Sequence, residues 1–252
     1  MRAISLFAVL LLAVPMVLSG QDRMTEERAV DVLGSRPLTH EHGQALMLVQ
    51  QLGPRASPEL KDAVISAAWA ERRANPHGSE VGGDYAYAVA ALKDPRTIPF
   101  LIEILPNGFF ASRVLADFGE EAFDPVLEAA SDPEGHEYRV AGSLEALRMM
   151  LDDGILSPGR TDHLHAITRE RLFGVQANLV VEEAMVLALK FEDHELQERI
   201  ETLASDRAAV ESLMSPFSRD GTPMSLDFFD RNVTKVQDRA RLLLSTRTRE
   251  PM

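Results

Sequence analysis

The chain contains no cysteine. A disulfide framework, a thiolate metal site and a cysteine nucleophile are therefore all excluded. Aromatic residues make up 6% of the chain, with one tryptophan, and runs of Val, Ile, Thr and Tyr alternating with polar residues are hard to find. That composition speaks against a β-sheet core. Lysine occurs only at Lys61, Lys93, Lys190 and Lys235, and acids outnumber bases to give a formal net charge of −13. Phosphate recognition needs clustered Lys and Arg, so nucleic acid is not an expected partner.

The usual catalytic signatures are also missing. The sequence has no Gly-x-Ser-x-Gly, no phosphate-cradling Gly-x-x-x-x-Gly-Lys and no Gly-x-Gly-x-x-Gly. It has neither His-Glu-x-x-His nor Glu-x-x-His; His194-Glu195-Leu196-Gln197-Glu198 comes nearest to the former and lacks the second imidazole. His40 and His42, and likewise His163 and His165, are two residues apart, which on a helix turns the rings about 200° away from each other. In a loop either pair could join a carboxylate on zinc. Glu120-Glu121 and Glu182-Glu183 supply carboxylates, but adjacent acids on a helix diverge. The expectation is no metal, no cofactor and no catalytic residue.

What is present begins with an apolar run. Arg2 precedes Ala3 to Leu18, and Ser19, Gly20 and Gln21 follow. A positive start, a hydrophobic middle and a small-residue exit form the plan of a secretory signal peptide, so residues 1–20 are expected to be a leader. At about 1.5 Å per residue the run would span about 24 Å of helix, short for a membrane crossing. Leu18-Ser19-Gly20-Gln21 resembles a lipoprotein box, with Gln21 where the acylated cysteine would stand. A secreted or periplasmic location follows, an uncleaved anchor being the alternative.

The body reads as short amphipathic helices. Ile98, Leu101, Ile102 and Leu105 are spaced i, i+3, i+4 and i+7, with Asp94 as N-cap and Pro95 at the first helical position. Pro106-Asn107-Gly108 stops that helix. Val114, Leu115 and Phe118 lie before Gly119, and Phe123, Val126 and Leu127 after it. Val140, Leu144, Leu147 and Leu151 then continue the pattern beyond Asp132-Pro133. No such helix buries its own apolar stripe, so stacking against sequence neighbours is the available solution.

Asp94-Pro95-Arg96-Thr97-Ile98-Pro99-Phe100-Leu101-Ile102 resembles the first helix of a HEAT-type repeat. Asp132-Pro133, Tyr138-Arg139-Val140-Ala141 and Leu144-Glu145-Ala146-Leu147 together are similar to the second. The resemblance covers roughly 60 residues, taking a unit as about 40. Pro99 and Pro125 stand 26 positions apart, shorter than that unit. It implies an all-α protein, an α-solenoid of antiparallel helical hairpins that holds protein partners, with Asp132 and Arg139 as a structural pair bracing the turns.

In chain order, Thr25, Thr39 and Ser57 are expected helix caps. The segment from Asn75 to Gly83 reads as a projecting loop, and Leu179 to Leu189, apolar on more than one face, as the most buried helix of the C-terminal half. The array is expected over residues 21–221, with a capping helix and basic tail over 222–252. In that last helix Phe229, Val233, Val236, Ala240 and Leu243 make a narrow seam. Arg231, Lys235, Arg239, Arg241, Arg247 and Arg249 face only Asp238 in charge from Arg231 to Arg249. The helix either caps the array or docks a partner or an anionic membrane surface. The expected function is a non-catalytic scaffold binding a protein partner, with Phe109, Phe110, Arg231, Lys235 and Arg239 as candidate contacts. The alternative is a metal-dependent hydrolase, or other enzyme, with a site assembled on the array.

Overall fold

The computed structural model describes residues 24–35, 40–76, 80–107, 110–217 and 222–247. Its architecture is all-α. The expected leader, Thr39, Phe109 and Arg249 lie outside the described residues.

Helices α1 (Glu26–Leu33) and α2 (His40–Leu52) open the fold, followed by α3 (Pro58–Ala74) and α4 (Glu80–Ala91). Next come α5 (Ile98–Ile104), α6 (Phe110–Asp117), α7 (Glu120–Ser131) and α8 (Glu137–Asp152). Then α9 (Pro158–Phe173), α10 (Asn178–Ala188), α11 (His194–Ser205), α12 (Arg207–Leu213) and α13 (Leu226–Arg247) complete the described chain. The boundaries have local causes. Thr25 Oγ1 accepts from the Arg28 N–H at 3.2 Å, and Ser57 Oγ accepts from the Leu60 N–H at 3.3 Å with Pro58 in the first turn. Asp193 and Asp206 cap α11 and α12 in the same way. Each such cap satisfies an N–H that the helix cannot, worth about 1 kcal/mol. Between α6 and α7 the chain reverses at Gly119, whose φ of 61° suits a residue without Cβ.

One expected loop is shorter than its composition suggests. Asn75 ends α3, but α4 begins at Glu80, so Gly82 and Gly83 are helical. A glycine inside a helix costs about 1 kcal/mol relative to alanine. Here burial of Tyr85, Ala86, Ala88 and Val89 on the same helix outweighs it.

Every substantial helix contact joins helices no more than three apart in chain order. First neighbours pack as α1 on α2, α3 on α4, α5 on α6, α7 on α8 and α9 on α10. Second neighbours pack as α1 on α3, α2 on α4, α5 on α7, α6 on α8, α7 on α9, α8 on α10 and α9 on α11. Side chains carry the sequence across the remaining steps: Trp69 meets the Phe100 ring edge-on at 5.3 Å between α3 and α5, and Tyr87 meets Phe110 at 4.8 Å between α4 and α6. The apolar interior is one continuous cluster from Ala29 to Ala240, with Leu46, Leu60, Leu101, Phe123, Leu147 and Met185 fully buried. In α10, Val180, Val181, Ala184, Met185, Leu187 and Ala188 are all buried, which makes it the most buried helix beyond Leu151.

Three arginines tie alternate helices together. Arg171 on α9 donates from Nε and Nη2 to the carbonyl of Ala130, in the last turn of α7, at 3.1 and 2.8 Å. Arg199 on α11 donates to Leu172 O at the end of α9 at 3.1 Å, and Arg241 on α13 to Ala204 O at the end of α11 at 2.9 Å. In each case a cation satisfies a carbonyl at the negative pole of the helix two before it.

Candidate interaction groove

A cavity of about 620 Å³ opens where three connections meet: α7 to α8, α9 to α10, and α12 to α13. In the first, Asp132 Oδ1 accepts from the Glu134 N–H at 3.0 Å and His136 Nδ1 accepts from the Tyr138 N–H at 3.3 Å, closing the turn and capping α8. A Cβ at Gly135 would stand 2.9 Å from Val140 Cγ2 and 3.1 Å from Asp132 O, so a larger residue there would have to shift the turn or the Val140 side chain. The other two connections run side by side. Gln176 N–H donates to Leu213 O at 2.8 Å and Ser215 N–H to Gln176 O at 3.2 Å. Phe217 and Pro223 then form an antiparallel bridge, with Met224 N–H donating to Pro216 O at 3.0 Å.

Those backbone bonds leave side chains on display. Tyr138, Val175, Phe217 and Phe228 all line the cavity and are exposed, Val175 by 62% and Phe217 by 51%. At the floor Arg171 is 3% exposed, and its Nη1 donates to Gln176 Oε1 at 3.3 Å besides the bonds to Ala130 O. Burial pushes its guanidinium below the ordinary arginine value, while the charges of Glu170 and Asp132 act the other way. The groove is thus an apolar surface framed by hydrogen-bonded loops, the kind of site that binds by shape and contact.

The residues singled out from the sequence are spread over the molecule. Arg139 Nη2 stands 2.9 Å from Asp132 Oδ2 at the groove's first lip, and Arg139 Nη1 also lies 3.7 Å from Glu103 on α5. Glu103 in turn meets Arg72 of α3 at 3.0 Å, so the pair belongs to a chain of charges crossing from α3 to α8. Phe110 is half-buried at the start of α6 against Tyr87. Arg231 lies over the Phe228 ring at 5.8 Å, which places it beside the groove. Lys235 and Arg239 turn instead toward acids of α10: Lys235 Nζ is 3.9 Å from Glu182 Oε1, and Arg239 acts on the half-buried Glu183. The seam of α13 faces its own chain, with Val233, Val236 and Ala240 fully buried and Phe229 and Leu243 partly so. The carboxyl of Glu183 is pushed up, first by burial and then by Glu145, against the pull of Arg148 and Arg239.

The histidine pairs diverge as helix geometry requires. On α2, His40 is exposed and bonded to Gln44, whereas His42 is 1% exposed with Nε2 3.2 Å from Ser35 O. On α9, His163 faces solvent and His165 Nε2 lies 2.7 Å from Asp193 Oδ2 in a shallow, open pocket with Phe191. Asp193 is held below the usual carboxylate range, chiefly by the Leu196 N–H it caps. Thr161, the hydroxyl beside this pair, donates to Ser157 O. Among the described residues no group of three His, Asp or Glu side chains is placed to hold a metal ion.

Val175, Gln176, Phe217 and Phe228 escaped the sequence reading. The available signal was apolar side chains set inside Gly- and Pro-marked connections, at Gly174-Val175 and Pro216-Phe217. No family model, no curated protein and no solved structure matches the chain. Among the described residues no helix is long and apolar enough to cross a membrane.

Proposed function

We propose that this protein is a non-catalytic scaffold that binds a protein partner, built as a HEAT-like solenoid of antiparallel hairpins. The architectural half of the proposal is supported by contacts that stay local in chain order and by the repeated arginine ties, both natural in a stack where each unit touches only its neighbours. The observation that carries the functional half is the groove, because four exposed apolar side chains converge on one cavity at the loop edge. Loops on a rigid array are free to vary and to make contacts. Grouped exposed apolar residues mark interaction surfaces, where scattered ones would not. The apolar run from Ala3 to Leu18 supports placing the scaffold in the periplasm or outside the cell.

The test is affinity capture from the native envelope fraction with the wild-type chain and with a Val175→Ser/Phe217→Ser variant as baits. A partner held by the first and lost by the second, with unchanged circular dichroism, is the expected result. Equal retention by both would remove the groove from the proposal.

A hydrolase reading has one observation in its favour, the His165–Asp193 pair, since a carboxylate at 2.7 Å orients an imidazole for proton transfer. Zinc or iron bound stoichiometrically and lost in His165→Ala would replace the scaffold reading.

A further inference from the structure

We infer that the groove's partner is a short polypeptide segment in which Lys or Arg flanks a bulky apolar side chain. The inference rests on the scaffold reading and assigns its partner's chemistry. The elements that line the cavity differ in kind. The α12–α13 connection and the first turn of α13 contribute Met214, Phe217, Met224 and Phe228, so the central anchor of the ligand is apolar. The α7–α8 connection and the first turn of α8 contribute Asp132, Glu134 and Glu137.

Arg231 lies over the Phe228 ring among the apolar residues, away in sequence from those three carboxylates, and Arg171 does not turn the balance toward an anion. Its N–H groups are directed at Ala130 O and Gln176 Oε1, and it is 3% exposed at the floor. Asp132 is paired with Arg139 at 2.9 Å, which leaves Glu134, exposed in the loop, as the lip carboxylate best placed to meet an incoming cation. The long-range field agrees with the local one, because the chain carries a net charge of −13 and draws basic partners toward it. Size limits the rest. A cavity of about 620 Å³ falls within the range that encloses a drug-sized ligand, so it takes a few side chains and not the face of a domain.

Fluorescence anisotropy on the full chain tests this with a labelled short peptide holding a Leu-Phe pair between arginines. Two matched peptides replace the arginines by glutamates or the Leu-Phe pair by serines. The basic apolar peptide is expected to bind, to weaken as sodium chloride is raised, and to lose about tenfold in affinity in Glu134→Lys, the size of a rim charge effect with reversal of sign. Both matched peptides and the Phe217→Ser variant are expected to bind about tenfold more weakly or worse.

Equal binding of the acidic peptide, or a Glu134→Lys variant that binds as wild type does, overturns the charge assignment and leaves the groove standing as a contact surface. Absence of binding by every peptide overturns the segment chemistry, while the capture experiment above still judges the scaffold reading separately. Binding of the basic peptide undiminished by Phe217→Ser places it elsewhere and overturns the site. A concentration-dependent dimer in sedimentation, abolished by Phe217→Ser, gives the groove to a second copy of the chain and overturns the inference as well.

Discussion

The loop-edge groove and the seam between α8, α10 and α13 invert the usual placement of polar and apolar groups. In the groove, Val175, Phe217 and Phe228 are exposed although nothing polar compels it. In the seam, Glu145, Arg148, Glu183 and Arg239 sit together, and Glu145 Oε2 and Arg148 Nε are buried without a hydrogen-bond partner among the described residues. The basic helix that the sequence marks out so clearly spends Lys235 and Arg239 on acids of its own body. Two members of a conspicuous basic run therefore face acids of the protein's own body, whereas inconspicuous apolar residues in loops face solvent. Charge asymmetry along a sequence locates an energetic need; it does not say on which side of the molecular boundary that need is met.

The largest effect is expected from removing the helix that forms the seam. Truncation after Gly221 uncovers the apolar surface that Val233, Val236 and Ala240 bury, with Phe229 and Leu243 partly buried beside them. At about 1.5–3 kcal/mol for a fully buried Val-sized side chain, the loss approaches the whole stability of a domain. The product is expected to aggregate and to lose much of its helical signal, measured by size exclusion and circular dichroism. A folded monomer would show that α13 is an accessory and not a cap.

Next in size is Arg171→Met, which removes the donors to Ala130 O and Gln176 Oε1 at the floor of the groove. Hydrogen bonds to a charged group contribute about 1.5–3 kcal/mol, so urea unfolding should lose about that much. A loss below about 0.5 kcal/mol, the level of an ordinary surface change, would mean that the tie contributes nothing.

A smaller effect with a distinctive pH dependence belongs to Glu183. Its folded pKa lies above the ordinary value of 4.5, so the folded state holds that proton more tightly than the unfolded chain. The associated stability is fully present below the unfolded value and is lost as pH rises through the raised folded value. Glu183→Gln should therefore raise Tm most at neutral pH, with the gain fading as the wild type protonates toward pH 4.5. A gain constant across that window would show that burial of Glu183 carries no proton linkage.

Last comes Val175→Ser with Phe217→Ser, where exposure predicts a stability change within about 0.5 kcal/mol. The same pair is expected to abolish partner capture. That split between a negligible change in folding and a large one in binding would separate the groove from the seam, where folding and charge are inseparable.

Much of the helical layout was legible. Thr25, Ser57 and Asp94 sit where side-chain oxygens cap helical turns, and the apolar spacing of Val140, Leu144 and Leu147 becomes a buried face. Gly82-Gly83 misled because local propensity is weaker than the burial of Tyr85 and Val89 just beyond it. The groove was not legible, since it forms where Gln176 meets Leu213 and Ser215 across a gap that only packing closes. The arginine ties escaped for a related reason: Arg171, Arg199 and Arg241 pair with backbone carbonyls, and a carbonyl leaves no mark in a sequence.

Those ties also couple turns that are not adjacent along the chain. Each links a helix to the one two places earlier, never to its immediate neighbour. Since α9 and α11 each give one tie and receive one, disturbing either helix loosens two joints at once, whereas α7 and α13 stand at the ends of the file with one apiece.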